Sequence, residues 1–335
     1  MNTKMWGKAL RGIPRLSTEE WQDLDIISRW LIATRAAVLV MTFISAAIAG
    51  ILAFRDGAFV WWRWLLLAAG LILAHATNNL LNDLVDHKKG VDQGNYFRTQ
   101  YGLQPLEMGL LSEKQLLRYA GITGGLAIAA GLPLVLTSGW IGWALLAAGA
   151  FFVLFYTWPL KYIGLGEIAV ILVWGPLMVG GGYYVITGQW SWLAILASLP
   201  YALGTTMVIF GKHIDKLEAD RAKGIHTLPV IIGEAAARYV TLGMIGLQYI
   251  LVFYLVISRE FTPALVFVVM AADALPSVWQ VYKNPRPQEK PENYPADAWP
   301  LYYVALAFVH NRKFGMWYFA SLILDVVFKY FHLFG

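Results

Sequence analysis

NNLLNDLVDHKKGVD, Asn78 to Asp92, sets three Asn, three Asp and two Lys beside some of the most apolar sequence in the chain. A segment that only crosses a bilayer avoids carboxylates at its end, because unpaired charge near hydrocarbon is costly. On a helix, Asn78, Asn82 and Asp86 fall at i, i+4 and i+8 and form one stripe. Asn79, Asp83 and Asp86 form its neighbour at i, i+4 and i+7. Gly90 breaks the helix and lets Asp92 fold back toward that face. Hard oxygen donors clustered in this way suit Mg²⁺, which keeps several waters and is completed by substrate phosphates. A helix end snorkelling into water accounts for one Asp, not for six Asn and Asp in fifteen residues.

The surrounding chain explains why such a stretch stands out. Of 335 residues, 58% are hydrophobic and only 14% charged, a balance that points to an integral membrane protein. Cys is absent, which excludes disulfides, thiolate nucleophiles and Cys-ligated metals. Residues 1–25 mix basic, acidic and Pro residues without the apolar core of a signal peptide. They read as a cytoplasmic amphipathic arm, with Ser17 and Glu20 spaced as a capping box. Residues 26–335 form the membrane domain. Segments of roughly 20 apolar residues recur near 27–54, 60–82, 116–136, 139–159, 164–187, 192–211, 236–258, 262–282 and 314–334. The expected fold is therefore all-α, an integral bundle of about nine transmembrane helices.

Lys and Arg set the orientation. With the N-terminus inside, the connections on the cytoplasmic side carry nearly all the basic residues, and the other side receives little beyond Arg55, Arg63, Arg259 and Lys329. This asymmetry absorbs most of the net charge of +5, so nucleic acid is not implied. Two cytoplasmic connections differ from the rest: the opening stretch and GKHIDKLEADRAKGIHTLP, Gly211 to Pro229. Four spans separate them, a layout of a doubled four-helix unit plus one helix.

At this point the chain resembles a known family. NDxxD followed by KKGVD, with Asn79 three residues ahead of Asn82, resembles the first aspartate motif of the UbiA superfamily of intramembrane prenyltransferases. The spacing is closest to the branch that prenylates 1,4-dihydroxy-2-naphthoate in menaquinone biosynthesis. GLGEIAVILVWGPLMVGGGYYVITG, Gly164 to Gly188, resembles that branch's fifth-span signature and includes Glu167 and Tyr184. FYTWPLKYIG, Phe155 to Gly164, resembles the superfamily's Tyr-Thr-x-Pro-x-Lys loop, and DRAKGIHTLPVIIG, Asp220 to Gly233, resembles the tail of its second aspartate motif. Together these cover most of residues 26 to 260.

The resemblance implies Mg²⁺-dependent transfer of a polyprenyl group from an allylic diphosphate to an aromatic acceptor. It implies one Mg²⁺ held by Asp83, Asp86 and Asp92 with Asn79 and Asn82, and a second held or shared by Asp220 and Asp215. Arg35, Lys88, Lys161 and Arg221 become diphosphate partners, and Tyr156 a hydrogen-bond donor or shield for the allylic cation. Glu167, Tyr184 and Thr227 fall on the substrate side. Asp86, Asp220, Tyr156 and Lys161 are the residues on which catalysis is expected to depend, and membrane lipid is the medium of the prenyl tail.

The second motif departs from the family pattern. Registered on Asp220, Lys212 and His213 stand where an Asn pair is usual, and Lys216 stands at an expected Asp. Asp215 lies at i−5, roughly 140° round a regular helix from Asp220. Two readings stay open: Glu218 substitutes as an oxygen donor, or Lys212 and Lys216 supply point charges to the diphosphate. The functional alternatives are the same chemistry on hydroxybenzoate, homogentisate, a chlorin or a glycerol ether, cyclisation of the diphosphate, and a cation-coupled transporter.

Overall fold

The computed structural model describes all residues except 1, 13, 15, 92–102, 293, 296–298 and 333–335. Asp92, expected to complete the first acidic cluster, lies outside the described residues. The regular secondary structure among them is all helical, with no strand.

The N-terminal arm is two short helices, α1 (Thr3–Arg11) and α2 (Thr18–Gln22). Ser17 and Glu20 form the capping box of α2. Asp25 caps α3 (Ile26–Ala33) by accepting from the amides of Ile27 and Ser28. The same carboxylate accepts from the Asn2 amide at 2.8 Å and the Trp6 indole at 3.2 Å, so it ties α1 to the bundle. Partial desolvation opposes its charge, but these donors outweigh it and hold the carboxyl well below the usual carboxylate range.

The first expected span, 27–54, is broken. α3 ends at Ala33, and α4 (Ala36–Arg55) begins after Arg35, whose φ of 56° is left-handed. That conformation costs a non-glycine residue about 1–2 kcal/mol. It is held in place by what the Arg35 side chain reaches, described below.

Eight longer helices follow. α5 (Trp61–Lys88) continues beyond its expected end near 82, so the whole acidic stripe is helical. α6 (Glu113–Thr137) runs back antiparallel to it, with Thr77 against Gly124 and Gly70 against Ala127 and Ala130. α7 (Gly139–Phe155) is short, and Gly142 is its one buried residue. α8 (Gly166–Thr187) widens to π geometry over Val173–Gly180 around Pro176, where the ring removes one backbone donor and the helix opens locally. α9 (Trp192–Asp215) is the most enclosed span and is followed by short α10 (Leu217–Ala222) and α11 (Leu228–Ile232). α12 (Glu234–Ile257), α13 (Pro263–Lys283) and α14 (Tyr303–Tyr330) complete the bundle.

Gly211 lets α9 and α14 touch. A Cβ there would lie 2.9 Å from the Val304 backbone and 2.7 Å from the Tyr282 hydroxyl. That close approach brings the end of α9 under the first turn of α14.

Seven helices among the described residues are long and apolar enough to cross a membrane: α4, α5, α6, α8, α9, α12 and α13. The expected nine are thus met only in part. α7 is apolar but has 17 residues. α14 starts at Tyr303 rather than near 314 and carries Arg312, Lys313, Asp325 and Lys329. The chain has the make-up of an integral membrane helical bundle.

Candidate active site

The helical stripe of α5 delivers its polar side chains into the protein, not into solvent. Asn79, Asn82, Asp83 and Asp86 are all buried. Asn79 donates to the Thr34 carbonyl at 2.8 Å, and Asn82 accepts from the Thr157 hydroxyl at 3.2 Å. Asp83 pairs with Arg35, which explains the left-handed residue between α3 and α4: the break aims a guanidinium at the stripe. Asp86, 1% exposed, accepts from Lys161 Nζ at 2.7 Å. Two carboxylates one helical turn apart thus face two cations delivered by different parts of the chain.

The loop after α7 is the bridge to the second acidic segment. Leu160–Ile163 forms one 3₁₀ turn that places Lys161 on Asp86. The next carbonyl, of Tyr162, accepts from the His226 amide at 3.2 Å. From the other side, Lys223 Nζ donates to the carbonyls of Gly90, at 2.9 Å, and Val91, in the turn that follows α5. The two segments, far apart in sequence, meet at one end of the bundle. Asp220 is buried there and pairs with Lys216 at 3.2 Å.

Asp215, expected beside Asp220, is turned elsewhere. Its carboxylate accepts from three backbone amides, Tyr302 at 3.1 Å, Tyr303 at 3.0 Å and Val304 at 3.0 Å. It caps the N-terminus of α14 instead of joining Asp220, as the angle between the two positions on a helix requires. Glu167 is likewise committed to the protein: its carboxylate meets His213 Nδ1 at 2.6 Å and the Leu228 amide at 3.3 Å, which joins α8, α9 and α11. Tyr184 lies away from the acidic stripe. Its hydroxyl donates to the Ser138 carbonyl at 2.9 Å, at the end of the bundle opposite the acidic stripe. Lys88 and Arg221 occupy the rim, about half exposed, in ion pairs with Glu113 and Glu218. Lys212 is half-buried on the last turn of α9.

An apolar cavity of about 360 Å³ opens directly beneath the stripe. Asn78 and Tyr156 line its upper end, His75 and Trp174 its middle, and Leu66, Gly142 and Val185 its far end. From Asn78 to Leu66 it follows α5 for roughly 18 Å at 1.5 Å per residue. Small residues make the room: Gly70, Gly124, Gly131, Gly149 and Gly181 all border it. His75 is tied to Thr42 at 2.7 Å and stacks edge-on against Trp174 at 5.2 Å. The arrangement offers a charged, water-poor pocket above a greasy trough.

The donor chemistry can be tested against Mg²⁺. Among the described residues no three His, Asp or Glu side chains converge on one point. The α5 set fits nonetheless: two carboxylates with neighbouring amide oxygens suit an ion that keeps its own waters and takes further oxygens from a phosphate. The Thr227 hydroxyl in the second segment is fully buried and has no hydrogen-bond partner among the described residues. The segment around Asp220 does not fit a second ion, because it presents one carboxylate already paired with Lys216.

Several site residues carry no clear mark in the sequence. Lys89 lies over the rings of Trp158 and Tyr162, at 4.9 and 5.1 Å. Thr157, His213 and Lys223 owe their roles to partners 46 or more residues away. All four fall within the motif stretches, but the motifs do not reveal these partners.

Comparison with known proteins agrees with this geometry. The family model described as "UbiA prenyltransferase family" matches residues 42–301. The chain is 28% identical over 229 residues to 1,4-dihydroxy-2-naphthoate octaprenyltransferase of Escherichia coli, covering 65% of this chain and 72% of that one. It is 28% identical over 200 residues to UbiA prenyltransferase domain-containing protein 1 of Gallus gallus, covering 58% of each. A UbiA homologue from Archaeoglobus fulgidus, solved with GPP and Mg²⁺, superposes with a TM-score of 0.57 at 15% identity, covering 88% of this chain and 99% of that one. The family model spans most of the chain, and its residues include both acidic segments and the loop that joins them: the chain belongs to the UbiA prenyltransferase family.

Proposed function

We propose that this chain transfers a polyprenyl group from an allylic prenyl diphosphate to an aromatic acceptor, 1,4-dihydroxy-2-naphthoate. The observation that carries this reading is the buried Asp83–Arg35 and Asp86–Lys161 array at the mouth of the apolar cavity. Charge is concentrated where a diphosphate would sit, and hydrocarbon space lies where its tail would go. The acceptor rests on the E. coli relative, whose name specifies dihydroxynaphthoate.

Asp83 and Asp86, with Asn79 and Asn82, are the residues that would hold Mg²⁺, the ion with which the Archaeoglobus homologue was solved. When bound, the ion offsets the negative charge that builds on a departing diphosphate. Arg35 and Lys161 add fixed positive charge at the same place. Because these side chains are largely buried, their attraction for the leaving group is stronger than in solution. Tyr156, at the junction of charged pocket and trough, is placed to shield the allylic carbon from water. The prenyl tail lies in the trough because its apolar surface loses contact with water there. The electron-rich ring then forms the new carbon–carbon bond, and a ring proton is lost.

In this reading all nine helices cross the bilayer as a doubled four-helix unit plus one, with the arm 1–25 and the acidic pocket on the cytoplasmic side and membrane lipid around residues 26–335. Incubating the purified protein with a prenyl diphosphate and a panel of acceptors tests the acceptor. Prenylation of dihydroxynaphthoate is expected; prenylation of hydroxybenzoate in its place would overturn the assignment.

A further inference from the structure

Four acidic side chains stand in or against the second acidic segment, and each is already answered from within the protein. Asp215 caps α14, Glu167 holds His213 and the Leu228 amide, and Glu218 pairs with Arg221 at the surface. That leaves Asp220, whose partner is the buried ammonium of Lys216.

The placement of that pair is set by the helix that carries it. Lys216, Asp220 and Lys223 stand at i, i+4 and i+7, one stripe around α10 and its flanking residues. The Lys223 end of the stripe meets the Gly90 and Val91 carbonyls just after α5. The stripe therefore faces the end of α5 that carries Asp83 and Asp86. A divalent ion between two carboxylates is neutral overall, and so is an ammonium beside one carboxylate. An ammonium has three donors, and the contact with Asp220 takes one.

We propose that Lys216 stands in for a second divalent cation, so that a diphosphate is held between one Mg²⁺ on the α5 carboxylates and the buried Lys216–Asp220 pair. The inference rests on the reading of this pocket as a diphosphate site. Lys216 is then a binding residue for the phosphate farther from α5, and Asp220 positions it.

Metal stoichiometry decides the matter without turnover. Full-length protein in detergent is titrated with Mn²⁺ in the presence of inorganic pyrophosphate, and bound Mn²⁺ is counted by electron paramagnetic resonance. One pyrophosphate-dependent Mn²⁺ per chain is expected, and Lys216→Asp, which restores two carboxylates at i and i+4, is expected to gain a second. Two Mn²⁺ in the unaltered protein would overturn the inference while leaving the diphosphate reading intact. No pyrophosphate-dependent Mn²⁺ would overturn the diphosphate reading itself. At saturating Mn²⁺, folded Lys216→Met is expected to bind pyrophosphate about tenfold or more weakly, with Lys216→Arg recovering part of the loss. Unchanged pyrophosphate affinity in Lys216→Met would also contradict the assignment.

Discussion

In the proposed mechanism the chemistry turns on Asp86. It is nearly fully buried, it lies at the crossing of the two polar stripes of α5, and Lys161 arrives from 75 positions away to meet it. Asp86→Asn keeps the volume and removes the charge. A loss of 10²-fold or more in kcat is expected, on the scale of removing one group that stabilises transition-state charge, with a melting curve showing a folded protein. Steady-state kinetics at saturating Mg²⁺ check it. The acidic stripe was legible because its spacing needs only the helical period. The same period set Asp215 roughly 140° from Asp220, in tension with the expectation that the two share an ion. What Asp215 does instead was not legible, since its partners lie 87 to 89 residues on and depend on the close approach at Gly211. Nor does anything in Ala33-Thr34-Arg35 announce a left-handed arginine, because the conformation is imposed by Asp83 across the bundle.

Among the elements, the ends of α14 and α3 show how caps build the site's surroundings. Without its three amide bonds to Asp215, the first turn of α14 would leave those donors buried and unpaired. Asp215→Ala is expected to lower stability by about 1–3 kcal/mol while leaving Mn²⁺ affinity unchanged; chemical unfolding and metal titration together check it. A metal-binding role for Asp215 would reverse that pattern. The arm depends on Asp25 in the same way. Its folded carboxyl titrates below the unfolded value, so its contribution is present above a pH of about 4 and is lost as pH falls through the lowered folded value. With no native Cys, a spin label on Met5→Cys reports the arm specifically. It should stay immobile from neutral pH to about 5 and become mobile on further acidification, or at neutral pH in Asp25→Ala. The capping box at Ser17 was plain in the sequence because it is a local signal; the link from Asp25 to Asn2 and Trp6 was not.

For the molecule as a whole, the division of labour is between a charged end and a hydrocarbon trough. Segment lengths and apolar runs foretold an all-helical membrane bundle. Of the nine helices expected, seven among the described residues qualify by length and composition; α7 is short and α14 carries charge along its length. Of the two Tyr expected beside the substrate, Tyr156 lines the trough, as does Trp174, whereas Tyr184 is bound to Ser138 at the opposite end. Gly149 tests the trough directly, since it lines the cavity and a Cβ there meets nothing within 4 Å. Gly149→Trp is expected to raise KM for long prenyl diphosphates about tenfold and to spare dimethylallyl diphosphate, as measured with donors of graded length.

The central claim is that the two acidic segments and the Lys161 loop form one pocket that releases diphosphate from an allylic lipid. The most direct measurement is diphosphate release from a prenyl diphosphate by the purified protein in detergent, with dihydroxynaphthoate, with and without Mg²⁺. Release that requires Mg²⁺ and disappears in Asp86→Asn is the expected result. No release under any of these conditions, with cation uptake into protein-containing vesicles instead, would contradict it.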